Sequence, residues 1–239
     1  MIDGYTIDMQ DGNFILNKEN IGPASKVFFS GKNNILIIAN GVRTKTIEID
    51  FRASNSIVFI DSSKAIVRIL MGHGSTVYIG RDTSCTNATH LTAAEEKDIY
   101  VGPECMLAEN VYISNTDGHP IFNEWGARIN YGKNVIIGEH VWIGRDSEIL
   151  KGAEINSGSI IAARSVVTKK ITSNSLAAGT PAKVIKENIS FERITTVRKP
   201  LISKNNDKLK IYPHDHLGDL CDLEKIKNLA RYITTNMNH

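Results

Sequence analysis

A six-residue period dominates the centre of this chain. Six hexads run without interruption from Ile137 to Thr172: Ile-Gly-Glu-His-Val-Trp, Ile-Gly-Arg-Asp-Ser-Glu, Ile-Leu-Lys-Gly-Ala-Glu, Ile-Asn-Ser-Gly-Ser-Ile, Ile-Ala-Ala-Arg-Ser-Val and Val-Thr-Lys-Lys-Ile-Thr. Position one is always branched and apolar (Ile137, Ile143, Ile149, Ile155, Ile161, Val167), and position five is short or β-branched (Val141, Ser147, Ala153, Ser159, Ser165, Ile171). Such a period fits neither the 3.6-residue turn of an α-helix nor an ordinary hairpin sheet; it fits a parallel β-helix. Three short strands and three corners make a coil of about eighteen residues, and coils stack about 4.8 Å apart, the spacing of hydrogen-bonded strands. Position one then points into a narrow interior and stacks on its copies, while position five lies beside a tight corner. Each coil touches only its neighbours, so both ends of the stack need caps.

Looser repeats lie upstream. Apolar pairs flanking one intervening residue recur as Ile35/Ile37, Ile57/Phe59, Val77/Ile79 and Ile99/Val101, at spacings of 22, 20 and 22 residues. Gly80 and Gly102 follow their strands as Gly138 and Gly144 do, and Val101, Leu107 and Ile113 restore the six-residue step. The spacing predicts an all-β chain with a cap at residues 1–29, a β-helix domain over 30–186 and an extension over 187–239. That extension opens polar (Arg198-Lys199-Pro200, Lys204-Asn205-Asn206-Asp207-Lys208). It then carries Leu220, Leu223, Ile226, Leu229 and Ile233 at helical spacing. An amphipathic helix from Leu220 to about Asn236 is expected, packed on the end of the β-helix or on a neighbouring subunit.

Composition suits a compact β protein: 239 residues, 41% hydrophobic, with 18 glycines. A net charge of +2 gives no electrostatic case for nucleic acid or an acidic membrane surface as partner. No apolar run reaches the roughly eighteen residues of a membrane span, and Met1-Ile2-Asp3-Gly4-Tyr5 has no basic region ahead of an apolar core. A cytoplasmic protein is expected. Cys85 and Cys105 fall on inward hexad positions and read as buried structural thiols; neither they nor Cys221 show metal-ligand spacing.

The register breaks once. Between Ile113 and Tyr131 lies Ser-Asn-Thr-Asp-Gly-His-Pro-Ile-Phe-Asn-Glu-Trp-Gly-Ala-Arg-Ile-Asn, which as plain hexads would put His119 and Trp125 inside the coil with Pro120 alongside. A cramped interior takes neither ring, and proline removes a ladder donor, so residues 114–130 are predicted to leave the solenoid as a loop. Asp117-Gly118 and Gly126 supply the turns. His119 is the candidate general base, because imidazole titrates near neutrality and can take a proton from an attacking hydroxyl or amine. The plain alternative is a solvated loop histidine. Asp117 and Glu124 are candidate partners for the ring or simple turn and surface residues. Trp142 occupies an outward hexad position, where an indole serves as a subunit contact, a cofactor contact or a lone exposed aromatic. Its coil follows the loop, which places His119 and Trp142 on one edge.

The run from Asn134 through Ile-Ala-Ala-Arg-Ser-Val-Val-Thr to Leu-Ala-Ala-Gly-Thr-Pro-Ala-Lys-Val-Ile-Lys186 resembles the bacterial hexapeptide-repeat acyltransferases, left-handed β-helical trimers that use acetyl-CoA. The handedness is implied by the resemblance, since crossover physics alone favours a right-handed connection. Asn-Thr-Asp-Gly-His-Pro-Ile looks like the histidine loop of the branch that O-acetylates capsular and O-antigen sugars, polysialic acid included. The resemblance covers residues 75–186 well, the first coils loosely and the tail not at all. It implies His119 as base toward an acceptor hydroxyl, and Trp142 against the thioester end of acetyl-CoA. It further implies that backbone amides of Ala162 and Ala163 hold the pantetheine, with Lys169, Lys170, Lys183 and Lys186 near the phosphates. The last four are otherwise a solvated basic edge, and Arg145 and Arg164 are weaker candidates. Transfer would be direct, an N–H such as the Trp142 indole stabilising the oxyanion, with no acyl-enzyme and no metal.

Three other readings stay open. An N-acyltransferase of an amino sugar nucleotide would use the same histidine, and a non-catalytic hexapeptide subunit would bind no acetyl-CoA. A γ-class carbonic anhydrase holds zinc through histidines close in sequence, whereas no two of His73, His90, His119 and His140 lie within ten residues. His214-Asp215-His216 is a weak metal signal without further ligands.

Overall fold

A computed structural model describes residues 4–197 and 209–236. Arg198-Lys199-Pro200 and the Lys204–Lys208 stretch lie outside the described residues, as does the start of the expected cap. Among the described residues the strands form three sheets of nine, seven and six, each visited once per coil. The chain winds as a left-handed parallel β-helix. One coil shows the order: Ile99–Val101 lies on the nine-stranded face, Met106–Leu107 on the six-stranded face and Tyr112–Ser114 on the seven-stranded face. Two antiparallel pairs end the stack, Ile7–Gln10 with Asn13–Leu16 and Leu176–Gly179 with Ala182–Lys186.

The hexads form the interior as their spacing predicts. Ile137, Ile143, Ile149, Ile155, Ile161 and Val167 are all fully buried and join one continuous core. Serine suits position five because its hydroxyl reaches a neighbouring corner carbonyl: Ser147 Oγ donates to Ala162 O at 3.1 Å and Ser159 Oγ to Thr172 O at 2.7 Å. Cys85 and Cys105 are buried, and burial pushes the Cys105 thiol up to about 12.

Four expectations need correction. Parallel pairing starts before residue 30, since Asn13–Leu16 pairs with Ile35–Ile38 and Lys26–Phe29 with Thr46–Phe51. The final coil is two residues short: Ile171 pairs with Ile155, so it stacks in a position-one column and not at a corner. The upstream pairs are not equivalent. Val77 and Ile79 pair with Val58 and Ile60, which pair with Leu36 and Ile38, so Ile35, Ile37, Ile57 and Phe59 face outward. A one-residue slip reverses every side chain on a strand.

Those outward residues explain the fourth correction. The helix Cys221–Asn236 lies along the flank of the β-helix and not at its end. Phe59, Tyr78 and Tyr100 stack outward with ring centroids 5.3 and 4.7 Å apart, and Ile226, Ala230 and Ile233 are buried over this stripe. Burying each isoleucine stabilises by roughly 1.5–3 kcal/mol. Lys227 ties the helix to Asp98, and the Tyr100 hydroxyl donates to Asp219 O at 3.2 Å.

Candidate functional site

Between Tyr112–Ser114 on the seven-stranded face and Val135–Ile137 on the nine-stranded face the chain makes a long excursion. Ile99 pairs directly with Val135, so thirty-six residues, two coil lengths, separate adjacent rungs. At its tip a bridge between Phe122 and Arg128 forms a small hairpin, with Ile129 N–H donating to Ile121 O at 2.9 Å. Ile121, Phe122, Trp125, Ile129 and Tyr131 are all more than half exposed, Trp125 at 81%.

Polar side chains close the neck of this loop. Glu95, from the corner one coil above, accepts from the Thr116 hydroxyl and from Gly132 N–H at 3.1 Å, and pairs with Arg128 at 2.7 Å. Burial pushes the Glu95 carboxyl up, but these donors together hold it below its ordinary value. Lys151, from the corner one coil below, bonds the Asp117 carboxylate and Asn130 O, the latter at 3.0 Å. Its ammonium is the main reason that the Asp117 carboxyl sits below the usual carboxylate range. Arg128 also lies 4.8 Å from the centre of the Tyr131 ring. None of Glu95, Arg128, Asn130 and Lys151 stands out from sequence spacing, because the Glu95–Thr116, Glu95–Arg128 and Lys151–Asp117 contacts join residues distant in sequence.

His119 stands exposed on the loop. Its carbonyl accepts from Asn130 Nδ2 at 2.8 Å, and among the described residues no side chain bonds its imidazole. Asp117 is committed to Lys151 and Asn130, so it does not orient the ring, and Glu124 is exposed without a contact to it.

Trp142 lies elsewhere. It sits on the six-stranded face between Met106 and Ile160, 40% exposed, its ring 6.0 Å from Phe191. Phe191 in turn stacks at 4.2 Å on buried His140, whose Nε2 bonds Phe191 O at 3.2 Å. The loop leaves the corner between the seven- and nine-stranded faces, the one corner that the six-stranded face does not touch. Within one chain, then, His119 and Trp142 are not on one edge, which corrects the sequence-based placement.

The other predicted residues divide likewise. Ala162, Ala163, Lys183 and Lys186 lie on or beside the six-stranded face with Trp142, and Lys183 and Lys186 are exposed. Ala162 is used by the scaffold, its N–H donating to Ala177 O at 2.9 Å and its carbonyl accepting from Ser147, so of the two amides only Ala163 remains open to a ligand. Lys169 is exposed at the corner column that carries the loop. Lys170 faces out from the nine-stranded sheet, away from the face that carries Trp142, and pairs with Asp215 at 3.0 Å and Glu154 at 3.7 Å. Asp215 is the main cause of its raised pKa. His216 bonds Glu139 at 3.0 Å, and His214 lies 3.4 Å from Asp215.

Comparison with known proteins agrees with this architecture. The profile of the bacterial transferase hexapeptide family (six repeats) matches residues 134–169. The crystal structure of the polySia-specific acetyltransferase NeuO superposes with a TM-score of 0.66 at 35% identity, over 77% of this chain and 91% of that one. The chain belongs to the hexapeptide-repeat acyltransferases. A second member, the polysialic acid O-acetyltransferase OatWY, superposes with a TM-score of 0.65 at 30% identity, over 82% and 93% of the two chains. Curated polysialic acid O-acetyltransferases from Escherichia coli O1:K1 and Neisseria meningitidis are 40% and 37% identical over 143 and 116 residues. Those stretches cover 59% and 47% of this hexapeptide-repeat chain but only 46% and 54% of the relatives, so the chain spans about half the length of the curated proteins it matches.

Proposed function

We propose that this chain is an acetyl-CoA-dependent O-acetyltransferase acting on a hydroxyl of a bacterial surface polysaccharide or its sugar precursor. The observation that carries this reading is the likeness to two polysialic acid acetyltransferase structures across more than nine-tenths of each. The residues on the six-stranded face fit such a donor: an exposed indole at Trp142, an open amide at Ala163, and the cations Lys183 and Lys186 for phosphates. Acetyl-CoA supplies an acetyl group already activated as a thioester. His119 takes the proton of the acceptor hydroxyl as its oxygen attacks, and returns that proton to the departing sulfur, so the imidazole ends as it began. Neither an acyl-enzyme nor a metal enters this scheme.

A homotrimer completes the site in this proposal. His119 and Lys169 belong to one corner and Trp142, Ala163, Lys183 and Lys186 to the opposite face, so two copies side by side supply both halves. The apolar loop tip supports the same arrangement, since a neighbouring copy would cover Phe122 and Trp125. Among the described residues no helix is long and apolar enough to cross a membrane.

The test is transfer itself. Purified protein, acetyl-CoA and a panel of capsular and lipopolysaccharide oligosaccharides, polysialic acid among them, are expected to yield acceptors heavier by one acetyl group. Modification confined to sugars bearing a free amine would replace O-transfer by N-transfer. No binding or turnover of acetyl-CoA would reduce the chain to an assembly subunit.

A further inference from the structure

A general base must be held in place, because a displacement of about 1 Å can reduce a rate by about a hundredfold. Among the described residues no side chain bonds the His119 imidazole, so its direction is set by the backbone from which it hangs. One side chain bonds that backbone on both sides of the histidine. Asn130 is buried, with only 8% of its surface exposed, and its amide faces the turn 117–121. Nδ2 donates to Asp117 Oδ2 and to His119 O, both at 2.8 Å, and Oδ1 accepts from Ile121 N–H at 2.7 Å. Arg128 Nε donates to the same oxygen at 3.3 Å. Both donors and both lone pairs of the amide are thus engaged. Residues 117, 119 and 121 are fixed from one point, on both sides of the histidine.

We propose that Asn130 is the positioning residue for His119, holding the turn so that the imidazole projects in one direction toward the acceptor. This rests on the assignment of His119 as base. Lys151 is the auxiliary: it fixes Asp117 from the other side and caps Asn130 O. Asparagine is required by the bonding pattern. Aspartate has the same shape but cannot donate to His119 O, and it sets a second carboxylate against Asp117.

The experiment compares Asn130→Asp, Lys151→Met and His119→Ala in the full-length chain, with thermal unfolding measured for each. Asn130→Asp is expected to lower kcat by about 10–100-fold, with KM for acetyl-CoA and the unfolding midpoint close to wild type. Lys151→Met is expected to lower kcat several-fold, and it carries the test if Asn130→Asp fails to fold. Wild-type kcat in folded Asn130→Asp, or in Lys151→Met should Asn130→Asp fail to fold, beside an inactive His119→Ala, overturns the role of Asn130 and leaves His119 as base. An active His119→Ala overturns the base assignment and this inference with it.

Discussion

The coils and the excursion are held together by opposite means. In the coils each apolar residue has near-identical neighbours above and below, as Ile155 has Ile137 and Ile171. The load is spread over a column, and the loss of one methyl is shared. The excursion has no such column. Its apolar side chains point outward, and its shape depends on Glu95, Asn130 and Lys151, each of which holds at least two residues of the loop. A redundant scaffold next to a loop of single-point supports is the expected division for a catalytic fold, because rigidity is needed where the loop is rooted and specific chemistry where it projects.

The sharpest way to test that division is to exchange stability for activity at one site in each region. His119→Ala is expected to reduce transfer by about 10²–10⁴-fold, the range of a general base, with an unchanged unfolding midpoint. Ile155→Ala should do the reverse. It opens a cavity in the stack at a cost of about 2–5 kcal/mol, seen as a lower unfolding temperature, while kcat measured well below that temperature stays near wild type. If Ile155→Ala lowered kcat as far as His119→Ala does, the coils would be part of the chemistry and the contrast would fail. A smaller effect is expected at Trp142. Trp142→Ala should raise KM for acetyl-CoA roughly two- to tenfold, in line with the 0.5–1.5 kcal/mol of an aromatic contact, and Phe191→Leu should follow it more weakly. Wild-type cofactor kinetics in Trp142→Ala would make the indole a packing residue.

The same contrast explains what the sequence reveals. Position-one columns are legible because the interior imposes a chemical requirement at a fixed step, and the excursion is legible as a failure of that step at His119, Pro120 and Trp125. Where both faces of a strand are apolar the step no longer discriminates. Ile35-Leu36-Ile37-Ile38 has its outer pair beneath the C-terminal helix, so periodicity alone chose the wrong pair. At the last corner Val167 and Ile171 are both apolar, which hides the loss of two residues from the coil. The supports of the loop leave no local trace at all. Glu95 and Thr116 lie twenty-one residues apart and Asp117 and Lys151 thirty-four, separations that only the stacking of corners brings together. The split between His119 and Trp142 is likewise a property of three faces and not of spacing.

Acid should separate the two regions by their order of loosening. Asp117 has its carboxyl held below the ordinary value, chiefly by Lys151, so its contribution is complete above that value and is lost only as pH falls through the lower folded one. The loop neck should therefore stay closed down to about pH 4, near the ordinary aspartate value. His140 behaves in the opposite sense. Burial lowers its pKa, so below the ordinary histidine value of about 6.5 the unfolded state takes up a proton that the folded site resists, and the packing of Phe191 on His140 weakens with each further drop. The two tryptophans report one region each: Trp125 on the loop and Trp142 beside Phe191. In Trp142→Phe the anisotropy of Trp125 should hold steady from pH 8 to about 5 and fall only near pH 4 or below. In Trp125→Phe the emission of Trp142 should begin to change between about pH 6.5 and 5. Simultaneous transitions would mean that loop and tail loosen as one unit, and the loop would then depend on the solenoid surface for more than its two corners.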